Sequence, residues 1–567
     1  MNRRGFLGGL GLVSGIGLTG GVFAESGVTD HYVWDKNTIL SADLLIAGGG
    51  LGGVAAALAA LRNGESVIMT EVTDWIGGQL TQQAVPPDEH PWIETHGAPV
   101  SYRNFRTAVR DYYRAHYPLT ESARDKLYLN PGDGDVSKLC HEPKIALAVL
   151  EAMLAPYISA GKLTLLLEHE VTSAEVSGTL VSIARVKNLR IGKTFRVSAH
   201  YFIDATELGD LLPLTHTEFV TGTESKLETD ELHAPVKGDA DDVQAFTMVF
   251  AIDYRPGENH TIPKPDTYDF WEKYIPAIAP AWSGKLLSLS YSNPQTLKPR
   301  TLGFNPDGSA SGSVLNLWNY RKIINRFNFK PDFFLGDITI VNWPQNDYML
   351  GSLIGISKKE FDKHVQSAKQ LSLSLLYWLQ TQVPRPDGGK GWPGIRLRND
   401  VVGTEDGFAK YPYIRESRRI KAVFTIKEQH VGKENRKIAA SLQEDSDKAA
   451  YFYDSVGIGY YHIDLHPTQK VNYVDFPSLP FQIPLGALIP VRMDNLLPAN
   501  KNIGTTHITN GCYRLHPVEW SIGEAVGLLV HFAKKHNLKP REVRSNKKYL
   551  VEFQRFIQEQ GVEIYWK

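Results

Sequence analysis

Residues 43–71 read DLLIAGGGLGGVAAALAALRNGESVIMTE, an apolar run that turns on a string of glycines, continues as an alanine-rich stretch and ends on an acid. Leu44-Leu45-Ile46 is short and β-compatible, as expected of a strand covered on both faces of a parallel sheet. Gly48, Gly50 and Gly53 follow at G-x-G-x-x-G spacing, and Val54 to Leu61 predicts a helix. The first glycine permits a tight turn, the second lets backbone approach a pyrophosphate, and the third lets helix pack closely on strand. Phosphates would then sit at the helix N-terminus, where unpaired N–H groups and the helix dipole favour negative charge. Ser66 to Thr70 predicts the second strand, and Glu71 stands where a ribose diol would donate to it. The chain carries its own control. Gly389, Gly391 and Gly394 match the same spacing but follow a helical pattern, sit beside Pro393 and open no apolar helix, so they read as a loop.

The 567 residues exceed one hydrophobic core and predict at least two domains. Lysine plus arginine is 61 against 62 acids, a net charge of -1 with no basic stripe, so no nucleic-acid partner is expected. Cys140 and Cys512 are the only cysteines, too few for a disulfide framework or a four-thiolate metal site. Residues 1–24 place Arg3 and Arg4 before an uncharged, glycine-rich segment ending in Val22-Phe23-Ala24, which predicts a signal peptide of twin-arginine type and a periplasmic destination. Asn2 and Gly8 depart from the usual flanks of that signal. No other segment approaches the roughly 18 uncharged residues of a membrane span.

Further stretches carry a resemblance: "WIGGQLTQQAVPPDEHPWIE", "LCHEPKIALAVL", "IDATELGDLLPL", "VNWPQNDY", "YIRESRRI", "GIGYYHIDLHP" and "THITNGCYRLHPVEWSIGEAVG". With the glycine string they make the chain resemble FAD-dependent oxidoreductases of the glutathione-reductase-like superfamily, in its exported bacterial branch. The resemblance implies FAD as cofactor and an α/β fold: a discontinuous Rossmann-like FAD-binding domain (40–215 and 480–535), an inserted α+β substrate domain (216–479) and a C-terminal helical segment (536–567). It implies that Gly48, Gly50 and Gly53, with the intervening amides of Leu51 and Gly52, bind the pyrophosphate. Glu71 would hold the adenosine ribose, Val171 the adenine edge, and Ala205 with Thr206 the adenosine side. Gly77, Gly78 and Gln79 would lie beside the isoalloxazine. The helix opening after Pro517 would aim its dipole at the flavin, with Gly523 giving the backbone room there. Glu207 departs from the glycine that relatives carry after Ala-Thr, which leaves the local turn open. "VSIARVKN", "FTMVFAIDY" and "DITIVNW" are strand-like and predict strands of an antiparallel substrate domain.

Chemistry needs a base and a substrate anchor beside the flavin. The return loop offers His507, Arg514, His516 and Glu519; either histidine suits the base, the alternative being a hydrogen-bonded supporting role. Arg415, Arg418 and Arg419 surround Glu416 and read either as an anion clamp or as a salt-bridged junction. His462, Asp464 and His466 share one strand face and read as substrate contacts, a hydrogen-bonded pair or a metal site, none being assigned to metal. "LCHEP" reads as a helix entry, with covalent flavin attachment through Cys140 or His141 as its alternative. No second nucleotide fingerprint appears, which points to electrons from a small organic substrate and onward to oxygen, a quinone or a redox partner. A non-catalytic electron relay and an alkene reductase are the alternative readings.

Overall fold

A computed structural model describes residues 36–308, 314–440 and 445–566. Residues 1–24, read as a leader, lie outside the described residues. The opening stretch forms β1 (Ile39–Ala47), α1 (Leu51–Arg62) and β2 (Val67–Glu71). Leu44, Leu45 and Ile46 are fully buried. Both faces of β1 are covered, so its apolar residues run without alternation.

β2 is followed in the same sheet by β3 (Leu163–Leu167), β4 (His169–Ser177), β5 (Leu180–Asn188) and β6 (Thr194–Asp204). The spatial order is β3-β2-β1-β6-β5-β4, and a return strand, Leu496–Pro498, also pairs with β6. β3, β2, β1, β6 and the return strand are parallel, while β4 and β5 add an antiparallel hairpin. β6 serves two neighbours on one side: residues 194–198 pair with β5, and 202–204 pair with the return strand. Ala47 and Pro498 both stand opposite Asp204, so residues far apart in sequence meet at the carboxyl edge of the sheet, where α/β folds bind ligands.

One assignment is corrected here. Residues 181–188 belong to this sheet as β5 and not to the substrate domain. A short turn joins β5 to β6, and Val181, Ala184 and Val186 bury against Phe195 and Val197, so the hairpin completes itself locally. "FTMVFAIDY" and "DITIVNW" do fold in the middle of the chain, where β7 (Phe250–Tyr254), β8 (Lys322–Ile324), β9 (Ile338–Val341) and β10 (Ile395–Leu397) make an antiparallel sheet of order β8-β9-β7-β10. The helix Lys358–Thr381 covers it, opened by a Ser357–Glu360 capping box and burying Leu371, Leu375 and Leu379. Trp318 and Trp343 lie in this second core. Gly389 to Gly394 form a loop, as their context predicts.

The long helix after the return strand, His516–His536, crosses α1 at backbone distance. A Cβ on Gly523 would stand 2.0 Å from the Gly52 carbonyl oxygen, and one on Gly52 would stand 1.6 Å from that of Ala499. Gly523 therefore serves helix-on-helix packing rather than room for a flavin, which corrects its expected role. Gly523→Ala should cost about 1–3 kcal/mol by overpacking and lower the thermal unfolding midpoint. An unchanged midpoint would show that the crossing tolerates a side chain.

Candidate functional site

Two concavities are lined by candidate residues, the first at the carboxyl edge of the parallel sheet. The first is a groove of about 110 Å³ lined by Gly48, Gly50, Glu71, Val171, Ala205 and Thr206 among others, so six of the expected nucleotide residues share one surface. Gly48 has φ +95°, and a Cβ there would meet the Ala205 carbonyl at 2.3 Å. Gly50 caps α1 in extended conformation without any side-chain acceptor, leaving the first turn's donors to be satisfied by something else. Glu71 is buried; its Oε2 accepts from the Gly49 N–H (2.9 Å) and its Oε1 from the Thr73 N–H (2.9 Å). Burial pushes this carboxyl up to about 7, against the pull of those hydrogen bonds.

The turn after β6, left open by Glu207, is folded by Asp204. Its Oδ1 accepts from the Thr206 N–H and hydroxyl (3.1 and 2.7 Å), and its Oδ2 from the Leu211 N–H (3.0 Å). Gly209 supplies the positive φ of +68°. Glu207 itself lies beside the glycine loop, its Oε1 3.0 Å from where a Gly50 Cβ would be, and its Oε2 accepts from Lys501 Nζ at 2.5 Å. Lys501 is buried and also stands 3.2 Å from Glu519 Oε1 in the first turn of the return helix.

Gly77 and Gly78 have φ of +107° and +55°, and the Gly77 N–H donates to the Gly49 carbonyl at 2.7 Å, joining the second glycine turn to the first. From there Gln79 to Gln83 runs beside Tyr411 to Arg415. Gln79 Nε2 donates to the Arg514 carbonyl (2.9 Å), Tyr411 N–H to the Gln82 carbonyl (3.1 Å) and Ile414 N–H to Gln83 Oε1 (3.3 Å). Tyr411 and Gln82 line the groove, while Tyr413, Arg415 and Arg514 line the second concavity.

That second concavity is a polar cavity of about 340 Å³. Arg415 and Arg514, singled out in the sequence, both line it, as do His462, Asp464 and His466. His466 Nδ1 lies 2.6 Å from Asp347 Oδ2. Asp347 is fully buried, and its Oδ1 accepts from the Thr247 hydroxyl (2.7 Å) and pairs with Arg415 Nη2 (2.9 Å). Burial alone would raise this carboxyl, but Arg415 and His466 hold it below its ordinary value. His466 Nε2 lies 3.7 Å from Asp464 Oδ2, so the ring stands between two carboxylates, Asp347 at Nδ1 and Asp464 at Nε2. His462 Nδ1 pairs with Asp475 at 2.7 Å, which outweighs burial and raises that imidazole. Asp347 escaped the sequence reading, although it is the next-to-last residue of the quoted stretch "VNWPQNDY".

His507 and His516 are not among the residues lining this cavity. His507 Nδ1 is held by Glu416 (2.9 Å), itself bonded to Arg419, inside a buried junction. His516 Nδ1 accepts from the Asp88 N–H (3.0 Å), and burial pushes the imidazole down to about 4. Gln79 and Pro517 are buried, Gln79 bonded to the Arg514 carbonyl and Pro517 in the first turn of the return helix. Cys140, Cys512 and His141 are buried, and Pro143 occupies the first turn of helix Pro143–Ser159, as a helix entry requires.

The chain belongs to the FAD dependent oxidoreductase family, whose sequence profile matches residues 43–557. Comparison with curated proteins gives no match. Among solved structures the chain is similar to the OxyS anhydrotetracycline hydroxylase from Streptomyces rimosus, at 10% identity over 92% of this chain and 68% of that one, with a TM-score of 0.32. It is also similar to the glycerol-3-phosphate dehydrogenase from Bacillus halodurans complexed with FAD, at 13% identity over 38% and 40% of the two chains and a TM-score of 0.21. An adenosine-5-phosphosulfate reductase in complex with sulfite shares 17% identity over 30% of this chain, with a TM-score of 0.21. The chain spans 31% of that reductase's length.

FAD is the cofactor of this oxidoreductase, and the residues present fit it. The groove has bare glycine backbone, an uncapped helix start and a carboxylate at the end of β2. Besides Glu71 the groove is lined by Glu170, Glu207 and Asp210, and each of these three has a cation beside it: Lys187 at 3.9 Å, the buried Lys501 at 2.5 Å and Arg418 at 3.0 Å. Glu71→Ala would remove the acceptor of the Gly49 N–H, a charged hydrogen bond of about 1.5–3 kcal/mol, and should raise the FAD dissociation constant roughly 10- to 100-fold. Flavin fluorescence on titration measures this, and an unaltered constant would remove Glu71 from the nucleotide site.

Proposed function

We propose that this FAD dependent oxidoreductase is a dehydrogenase that oxidises a C–H bond next to oxygen in a small polar substrate held in the 340 Å³ cavity. The observation that carries this reading is the pairing of His466, on the cavity wall, with the buried Asp347 behind it. Asp347 orients the imidazole through Nδ1, and Nε2, 3.7 Å from Asp464, is the nitrogen that accepts the hydroxyl proton. FAD, when bound, supplies the acceptor for the hydride that leaves carbon. The balance is one C–H and one O–H bond broken, one carbonyl formed, and the proton left on His466. Arg415, held by Asp347, and Arg514, held by Asp464 at 3.0 Å, orient the substrate with fixed guanidinium donors.

Membership of the glutathione-reductase-like branch, and export through the twin-arginine route to the periplasm, belong to the same proposal. They rest on the quoted resemblance and on Arg3-Arg4 before an uncharged segment. The reduced enzyme would pass its electrons to oxygen, a quinone or a redox partner.

Anaerobic mixing of the yellow protein with a panel of hydroxy compounds should bleach the flavin with at least one of them. His466→Asn should slow that bleaching by about 10²–10⁴ without loss of bound FAD, because it removes the base and not the cofactor site. Asp347→Asn should slow it in the same direction. Undiminished bleaching in His466→Asn would place the base elsewhere, and bleaching only with a redox partner would favour the electron relay.

A further inference from the structure

The cavity wall carries four arginines, and their partners divide them. Arg321 Nη2 lies 3.4 Å from Asp88, Arg415 Nη2 2.9 Å from Asp347, and Arg514 Nη2 3.0 Å from Asp464. Each of these three brings its own carboxylate, so each pair is neutral before any ligand arrives. Arg300 does not. Its Nη1 lies 3.5 Å from the Tyr291 hydroxyl, and among the described residues no carboxylate lies within ion-pair distance of it. It projects from the exposed strand Pro299–Thr301, which pairs with Ser290–Ser292, a strand whose Tyr291 and Ser292 are buried, and it lines the cavity.

The other polar groups of the wall suit a different group on the ligand. Asp88, Asp464 and Asp475 are already paired with Arg321, Arg514 and His462, but Asp88 Oδ1, the Asn342 amide nitrogen and the Tyr473 hydroxyl are buried at this wall without a hydrogen-bond partner among the described residues, and such atoms suit hydroxyl groups. Tyr291, Tyr413 and Tyr473 add hydroxyls that serve as donor or acceptor. A wall with unpartnered polar atoms for hydroxyl groups and one guanidinium without a carboxylate is complementary to a molecule with several hydroxyls and a single carboxylate. The volume of about 340 Å³ falls at the small end of ligand sites, which fits one such molecule rather than a chain of them.

We propose that the substrate is a polyhydroxy carboxylic acid of about monosaccharide size, its carboxylate held by Arg300 at the cavity mouth and a hydroxyl-bearing carbon presented to His466. The assignment of the inner end rests on the dehydrogenase reading above; recognition of the acid by Arg300 stands apart from it. Arg300 is a specificity-determining residue here. It lies on an exposed strand and belongs to none of the buried apolar clusters, so its replacement removes no core side chain.

D-Gluconate and D-sorbitol share a hydroxylated six-carbon skeleton and differ at one end in carboxylate against CH₂OH. Titration calorimetry on the FAD-loaded protein, reduced beforehand with dithionite under argon to prevent turnover, compares their binding. Gluconate should bind at least tenfold tighter than sorbitol. Arg300→Gln should remove that preference while leaving sorbitol binding unchanged, and Arg300→Lys should retain part of it. Equal binding of the two, binding of neither, or a preference for gluconate that survives in Arg300→Gln would overturn the proposal. Failure of the dehydrogenase reading is distinguishable. Flavin bleaching by sorbitol but not gluconate leaves that reading standing and overturns this one. Arg300-dependent gluconate binding with no bleaching by any hydroxy compound does the reverse, supporting acid recognition without dehydrogenation.

Discussion

The close backbone approach at Gly52 holds the molecule's site together. Its α-carbon faces the Ala499 carbonyl on one side and the return helix at Gly523 on the other, with no space for a methyl group at either contact. Through that approach the start of the nucleotide fold is fixed against a segment more than 440 positions later in the chain. The carboxyl ends of β1, β6 and the return strand then converge, and the loops leaving them have to face one another. Groove and cavity follow from this, because the segments Gln79–Gln83 and Tyr411–Arg415 pass from one to the other beside the same edge.

Buried charge is the second constraint. An unpaired ion inside protein costs several kcal/mol, and the interior here holds many ions. They are arranged in matched groups: Glu207–Lys501–Glu519 beside the glycine loop, Asp347 between Arg415 and His466, and Asp464 with Arg514. Such groups add little net stability compared with apolar packing, but each fixes the position of a polar atom at the wall of a site. Asp347 illustrates the use. A single carboxylate holds one nitrogen of His466 and one arm of Arg415, the groups proposed above as proton acceptor and substrate anchor.

What was legible in the sequence depended on how local the determinant is. The glycine spacing, the uninterrupted apolar strand and the acid at the end of β2 all act within 29 residues, and they identified the nucleotide fold directly. Arg415, Arg514, His462 and His466 were legible as functional types, and all four line the cavity. Their pairing was not. Asp347 lies 119 residues from His466 and 68 from Arg415, and nothing in its own neighbourhood marks it as their partner. His507 and His516 stood out by their position on the return loop, yet Glu416 and the Asp88 amide, both supplied from distant segments, occupy them. Gly523 misled for the same reason: a glycine announces close approach, but not what approaches. Residues 181–188 carry strand propensity that fits either sheet, and only the short turn into β6 decides between them.

The central claim is that one chain places an FAD groove and a polar cavity side by side, so that a molecule in the cavity is sensed by the flavin. The most direct measurement is the visible spectrum of the purified, FAD-loaded protein while a non-reacting ligand is titrated into the cavity. The account predicts about one FAD per chain and a flavin band that shifts and saturates as the cavity fills. A folded protein that takes up no FAD, or a flavin band that ignores an occupied cavity, would contradict it.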